Sequence, residues 1–519
     1  MNKKEEVAPD VIVIGSGVGG GTSALRLAQR GLNVLVLERG DYLPREADNW
    51  SPKAVYVDRK YVGEDTWLDG DNQPFSPSIY YNVGGASKFF GCTMIRFRER
   101  DFEEVSHFEG VSPAWPISYH DLEPYYAQAE RLYHTHGTAG IDPSEAPRSS
   151  PFPLSGVVSD PPMVALMEKV RRQGFKPFPQ PAAIRMAPTG ACIRCDTCDG
   201  YPCKVEAKAD AEISVVQPAL ATGRVTLRTK TQVHRLILSD DGKHVSGVEV
   251  EHDGLREVLS ARIIILSASA VNSAALLLKS SCPQAPNGVA NSSGVVGRHY
   301  MAHNNTALMA VSANKNQTRF QKTVAMNDFY FGDKAFPHPM GCIHSLGKLK
   351  AGMMTAANKW VPDFVNAFIA ARSFDWWIMS EDLPDPNNRV TVENGMIKLD
   401  TKRNNLRAHK ELVKRMTRMM RKAGLPLVLT KLMPAASTSH QCGTVRFGKD
   451  SSTAALDPFC RAFDHRNLFV VDASFFPSSA AVNPALTIAA QALRVADHIA
   501  TEDFGIINTK VAETRLHSV

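Results

Sequence analysis

The chain has 519 residues, with 59 Lys and Arg against 53 Asp and Glu, a formal net charge of +6. Its 44% apolar and 22% charged residues can fill a sizeable core, and 35 Gly with 32 Pro exclude collagen-like or linker-dominated architectures. So small a charge on so long a chain implies no nucleic-acid partner.

The first nine residues are polar and lack the apolar segment of a leader, and no run reaches 18 uninterrupted apolar residues. A cytoplasmic protein without a membrane partner is therefore expected. A strand is predicted at once, because Val11-Ile12-Val13-Ile14 is continuously apolar, as in a parallel strand buried on both faces. Gly15-Ser16-Gly17-Val18-Gly19-Gly20 follows, then a helix carrying Ala24, Leu25, Leu27 and Ala28. A second strand, Val34 to Leu37, ends at Glu38. In such a βαβ unit Gly15 permits the tight turn, Gly17 lets the backbone approach a pyrophosphate, and Gly20 allows close helix–strand packing. The anion sits at the helix N-terminus, where free amides and the dipole favour negative charge. Glu38, 23 residues after Gly15, is placed to accept a ribose hydroxyl. This unit alone does not separate FAD from NAD.

Next comes a second glycine segment, Asn82-Val83-Gly84-Gly85-Ala86-Ser87-Lys88-Phe89-Phe90-Gly91-Cys92, followed by Arg96-Phe97-Arg98. Residues 139 to 162 are rich in Pro and Ser and suggest a surface excursion. Four of the nine cysteines then crowd into twelve residues as Cys192, Cys195, Cys198 and Cys203. An odd count so clustered is not a secreted disulfide framework. The spacing approaches a ferredoxin run, but Cys203 follows Pro202 and precedes Lys204. An iron–sulfur cluster, zinc held by four thiolates, and a compact loop of metal-free thiols all remain open, with bound metal not favoured.

Val225 to Leu238 and Val245 to Val250 flank Asp240-Asp241-Gly242 and predict a hairpin. Ala261 to Leu266 is another buried strand, feeding a helix from Asn272 to Lys279. Residues 346 to 366, with Met353, Met354 and Lys359, suggest a flap or partner surface, although ordinary packing of the Met and Trp side chains is preferred. Leu468 to Val471 is a further apolar strand, Pro484 to Ile499 a terminal helix, and the polar tail after Ile507 is expected to fray.

The C-terminal block carries the most specific signal. It runs from Ser439-His440-Gln441-Cys442-Gly443-Thr444 through Val471-Asp472-Ala473-Ser474 to Asn483-Pro484-Ala485-Leu486-Thr487. With the two glycine segments, it resembles the glucose-methanol-choline (GMC) flavoprotein family. Val83-Gly84-Gly85-x-Ser87 with Cys92 and Arg96-Phe97, and Glu381-Asp382 with Asn387-Asn388-Arg389, look closest to pyranose oxidases and bacterial glycoside 3-oxidases.

The resemblance implies an α/β fold, with a Rossmann-like FAD-binding domain (residues 1–105, 200–310 and 441–507) interleaved with an α+β substrate or cap domain (106–199 and 311–440) containing an antiparallel sheet. It implies FAD, bound non-covalently because Lys88-Phe89-Phe90 stand where some pyranose oxidases carry a flavin-linked histidine. The implied FAD contacts are Gly15, Gly17, Gly20, Glu38, Gly84, Gly85, Ser87, Cys92, Val233, Asp472, Ala473, Asn483 and Thr487. The implied catalytic pair is His440, as general base, and Asn483, as donor to the developing alkoxide. A sugar or glycoside would then be oxidised at a secondary hydroxyl, with O2 or another acceptor taking the electrons. An FAD dehydrogenase using the cysteine group as an iron–sulfur relay is the alternative.

Overall fold

The computed structural model describes residues 8–506, except 189, 358, 359, 435, 436 and 438. The tail after Ile507, the first seven residues and Lys359 lie outside the described residues. Five short apolar strands form one parallel sheet in the order Val225–Arg228, Val34–Leu37, Val11–Ile14, Ile263–Leu266, Leu468–Val470. Val11–Ile14 and Ile263–Leu266 are buried along their whole length, which accounts for their lack of polar alternation. The helices Val18–Gln29 and Ala485–His498 pack together beside this sheet. Arg26 and Arg30 of the first helix both pair with Asp497 of the second.

One predicted hairpin is drawn differently in three dimensions. The run Val225 to Leu238 breaks at Lys230, whose φ is +51°. Val225–Arg228 goes to the edge of the parallel sheet. Thr231–Leu238 pairs antiparallel with Val245–His252, which in turn pairs with a third strand, Leu255–Leu259. The corner is held by Lys230 N–H donating to Gly40 O and Thr231 N–H donating to Glu38 O. No Gly, Pro or Asn marks it, so apolar alternation alone runs straight through.

A six-stranded antiparallel-type sheet follows the order Leu427–Leu432, Asn304–Val311, Ser373–Ser380, Cys342–Ser345, Val324–Met326, Phe178–Pro179. The helix Leu406–Lys422 covers it with Ala408, Leu412, Met416 and Met419, spaced three and four apart, while its Lys and Arg residues other than Arg415 are exposed. Residues 139 to 162 include a short strand, Leu154–Ser155, beside Thr135–Gly137. Residues 346 to 366 contain the helix Ala351–Ala357 and the start of Asp363–Ala370. Here the packing expectation fails for Trp360, which is 94% exposed, while Met353 and Met354 are half-buried. Among the described residues no helix is long and apolar enough to cross a membrane.

The end of the antiparallel sheet where Asn304–Val311 begins decides where chemistry can occur. Asn304 lies opposite Ser380, so His303 and Glu381-Asp382 emerge side by side. Met301 and Cys442 exchange both backbone hydrogen bonds, which brings the His440 segment alongside. The loop Ser478–Asn483 closes this corner before the last helix. It is anchored by Trp115 Nε1–H donating to Ser478 Oγ, Ala480 N–H to Glu381 Oε1 and Ala481 N–H to the Tyr330 hydroxyl.

Candidate functional site

The first glycine turn behaves as its spacing predicts. Gly15 has φ +99°, and a Cβ there would stand 2.3 Å from Ser267 O; one on Gly20 would stand 2.0 Å from Gly15 O. Gly19, which carried no assigned role, is tighter still, with Val471 O 1.8 Å from its would-be Cβ. Gly17 differs from all three. Nothing lies within 4 Å of a Cβ built there, and no side chain caps the helix it begins. The open space therefore lies at an uncapped helix N-terminus.

Glu38 closes the adjacent wall. Ser16 donates to it through N–H and Oγ–H at 3.0 and 2.6 Å, and Gly40 N–H donates at 2.9 Å. Burial raises the Glu38 carboxyl above its ordinary range despite these donors. Ser16 is a contact that the motif spacing did not single out. Val233 is half-buried, two residues past the Thr231–Glu38 hydrogen bond.

The second glycine segment lies against the first. Gly84 and Gly85 have φ of +86° and +57°, Gly84 N–H donates to Ser16 Oγ, and a Cβ on Gly85 would touch Gly17 Cα at 3.3 Å. Only residues tolerant of left-handed backbone can make two such steps. The Ser87 hydroxyl is engaged within the protein, donating to Gly84 O at 2.5 Å and accepting from Ala211 N–H at 2.9 Å. Lys88 reaches Glu212 and Asp210 at 2.6 and 3.1 Å.

Cys92 is fully buried, and its thiol faces that of Cys198. The Cys198 thiol is pushed down by the Cys92 hydrogen bond and by Lys208 and Lys322, while burial pushes Cys92 up. The cysteine loop is tied to the glycine turn by Lys208, whose ammonium donates to the carbonyls of Phe90, Cys198 and Tyr201 at 2.7–2.9 Å. Cys192 Sγ accepts from Arg194 N–H, Cys195 Sγ from the Thr197 hydroxyl and Cys203 Sγ from Ala207 N–H. Among the described residues, no three or more His, Cys, Asp or Glu side chains are arranged to hold a metal.

Asp472 is likewise engaged within the protein, accepting from Ser273 Oγ–H, Ser474 Oγ–H and Ser474 N–H. Ala473 follows it in a 3-10 turn, and its carbonyl accepts from Gly443 N–H. Thr487 hydrogen-bonds the Tyr126 hydroxyl at 2.8 Å, so its side chain fixes the last helix.

Ahead of the last helix, Asn483 Nδ2 and His440 Nε2 stand 3.2 Å apart. Asn483 Oδ1 is buried without a partner. His440 sits at φ +58°, and burial first, then the nearby His303, His344 and Lys322, hold its imidazole well below the usual range. His303 Nδ1 lies 3.2 Å from His440 Nδ1. Sequence spacing does not reveal His303, because 137 residues separate the two rings.

An open space over an uncapped helix start, an acid beside it and an orphaned amide oxygen near a half-buried histidine fit a dinucleotide with a redox-active ring. The donor set therefore fits FAD. Comparison with known proteins agrees. Family models described as GMC oxidoreductase match residues 55–305 and 382–492, and one described as FAD dependent oxidoreductase matches residues 10–67. The chain is 32% identical to 6'''-hydroxyparomomycin C oxidase of Streptomyces lividus, over 95% of this chain and 92% of that protein. It is 31% identical to paromamine 6'-oxidase of Streptomyces fradiae, over 95% and 91%. The large subunit of fructose dehydrogenase from Gluconobacter japonicus is 25% identical over 95% and 98%. Pyridoxine 4-oxidase from Mesorbium loti shares the fold, with a TM-score of 0.66 at 20% identity over 94% of this chain and 99% of that one.

Proposed function

The chain belongs to the GMC oxidoreductase family of FAD-dependent enzymes acting on CH–OH groups, and from that premise we propose that it oxidises a hydroxyl of a sugar or glycoside. The observation that carries this reading is the His440 Nε2–Asn483 Nδ2 approach of 3.2 Å in a half-buried corner. A substrate hydroxyl placed against both atoms replaces their mutual contact and takes both as partners. Its O–H faces His440 Nε2, which removes the proton, and its oxygen accepts from the Asn483 amide as negative charge develops. FAD supplies the acceptor for the hydride that leaves the same carbon. Desolvation of the half-buried ring keeps His440 unprotonated, ready to act as base near neutrality.

The residues assigned to hold FAD are Gly15, Gly17, Gly20, Gly84, Gly85, Glu38, Ser87, Cys92, Val233, Asp472, Ala473, Asn483 and Thr487. Several of them, Ser87, Asp472 and Thr487 among them, act by shaping backbone rather than through free side chains. Residues 1–105, 200–310 and 441–507 are assigned to the FAD side, and 106–199 and 311–440 to the substrate side. FAD is held non-covalently, so trichloroacetic acid is expected to release all of it into the supernatant; yellow colour retained in the pellet would overturn this.

The target assigned is a secondary hydroxyl, as in the glycoside 3-oxidases that the glycine segment resembles. Two relatives are named 6'''-hydroxyparomomycin C oxidase and paromamine 6'-oxidase, after aminoglycosides, which favours a glycoside over a simple alcohol. An anaerobic screen of sugars, glycosides and aminoglycosides, read by loss of flavin absorbance, tests the class. Bleaching by a glycoside is expected, and bleaching by sterols or short alcohols alone would sink it. A ketone product supports the secondary target and an aldehyde excludes it.

The electron acceptor assigned is O2, with close to one hydrogen peroxide formed per substrate oxidised in air. The second reading is a dehydrogenase passing electrons to another acceptor; the loop of Cys192, Cys195, Cys198 and Cys203 lies near the glycine turn through Lys208, but among the described residues its side chains are not arranged to hold a metal. Little peroxide, together with iron in the purified protein, would select it.

A further inference from the structure

We propose that His303 is a positioning residue that locks His440 in the tautomer required of a base, an inference that rests on His440 abstracting the substrate proton. Three consecutive contacts fix the hydrogens. Ser479 O is a carbonyl and only accepts, so His303 Nε2, 3.1 Å away, carries the hydrogen. In neutral imidazole the other nitrogen, Nδ1, then holds a lone pair. His440 Nδ1 lies 3.2 Å from it, and two bare nitrogens at that distance would repel. The hydrogen between them belongs to His440 Nδ1, which donates to His303. His440 Nε2 is left with its lone pair, 3.2 Å from Asn483 Nδ2, a nitrogen that donates and does not accept. The chain of hydrogen bonds is thus consistent from both ends and leaves the basic nitrogen on the substrate side.

His303 is itself held rigidly. Its backbone N–H and that of Ala302 donate to the two oxygens of Asp382 at 2.9 and 2.8 Å, and the Ser479 hydroxyl reaches the same carboxylate at 3.2 Å. The His303 and His440 rings meet edge to face, 79° apart with centroids at 5.2 Å. The titratable groups facing His440 are His303, His344 and Lys322, and those facing His303 are Asp382 and Glu381. Fixing the second nitrogen of a working imidazole by an outer partner is the same device that orients metal-bound and catalytic histidines elsewhere. Where such a partner no longer selects the tautomer, catalysis falls by orders of magnitude.

The test uses the holoenzyme and two substitutions. His303→Ala removes the acceptor, and anaerobic flavin bleaching at saturating substrate is expected to slow by about 10²-fold, with FAD content retained and KM little changed. His303→Gln offers an amide N–H to Ser479 O and a carbonyl to His440 Nδ1–H, and is expected to recover to within about tenfold of the parent. Nitrogen-15 spectra of histidine-labelled holoenzyme, with the His440 signals assigned by their absence in His440→Ala, should show hydrogen on Nδ1 and a bare Nε2. In His303→Ala the Nε2–H form should appear. Parental bleaching by His303→Ala, a Gln variant as slow as the Ala variant, or an Nε2–H ring in the parent would each overturn the proposal. Failure of the base assignment is separate: it would show as undiminished bleaching by His440→Ala, whereas the spectra report the ring whatever its role.

Discussion

Replacing His440 by Ala is expected to slow substrate-driven bleaching of the flavin by about 10²- to 10⁴-fold while leaving FAD bound, the range over which a positioned general base acts. The two ring nitrogens of the imidazole face Asn483 and His303 rather than the glycine turns. Cofactor affinity and catalytic rate therefore separate in this variant. Anaerobic stopped-flow absorbance measures the rate, and bleaching at the parental rate would remove His440 from the mechanism.

The pH dependence of the parent follows from the same site. Burial is the largest cause holding His440 well below 6.5, and His303 is the next. A base acts unprotonated, so a depressed pKa extends activity towards acid. The limb of kcat/KM against pH that reports His440 should lie below pH 6.5, with activity lost only on further acidification. A limb centred above 6.5 would mean that water or a stable negative charge reaches the ring.

The second large effect is a contrast between neighbouring glycines. Gly19→Ala puts a Cβ 1.8 Å from Val471 O, a backbone atom that cannot turn away. The helix must lift from the sheet, and overpacking of this kind costs about 1–3 kcal/mol or more. Lost folding stability is expected even without cofactor. Gly17→Ala meets nothing within 4 Å and has an ordinary φ of −68°. Its folding stability should change by less than about 1 kcal/mol, because a small loss of N-capping is offset by reduced unfolded-state entropy. The new methyl group stands in the groove itself, and FAD affinity is expected to fall at least tenfold. Thermal denaturation of apoprotein and flavin titration read the two effects independently. Equal FAD affinity in Gly17→Ala would mean that the dinucleotide lies elsewhere.

How much of the site could be read along the chain depends on how local each feature is. Gly15, Gly17, Gly20 and Glu38 share one βαβ unit, in which turn geometry and helix rise convert spacing directly into position. Ser16, which donates twice to Glu38, lies inside that motif, yet its x position carried no requirement of its own. Ser87, Asp472 and Thr487 fall in legible segments, but their side chains are spent on Gly84, Ser273 and Tyr126. Sequence alone does not tell a side chain that binds a ligand from one that shapes the backbone beside it.

What the sequence determined by itself was the set of local elements: the parallel strands, the glycine turns and the segments that carry His440 and Asn483. Apolar runs, positive-φ glycines and residue spacing act over a few neighbours, so a linear reading captures them. Tertiary structure alone decided the break at Lys230, the exposure of Trp360 and the pairing of His303 with His440. Each of these depends on partners far away in the chain. Lys230 turns because Gly40 accepts its N–H. His303 meets His440 because Met301 and Cys442 pair across the end of a sheet. Such contacts leave no periodic trace, since backbone hydrogen bonding is indifferent to the side chains it brings together.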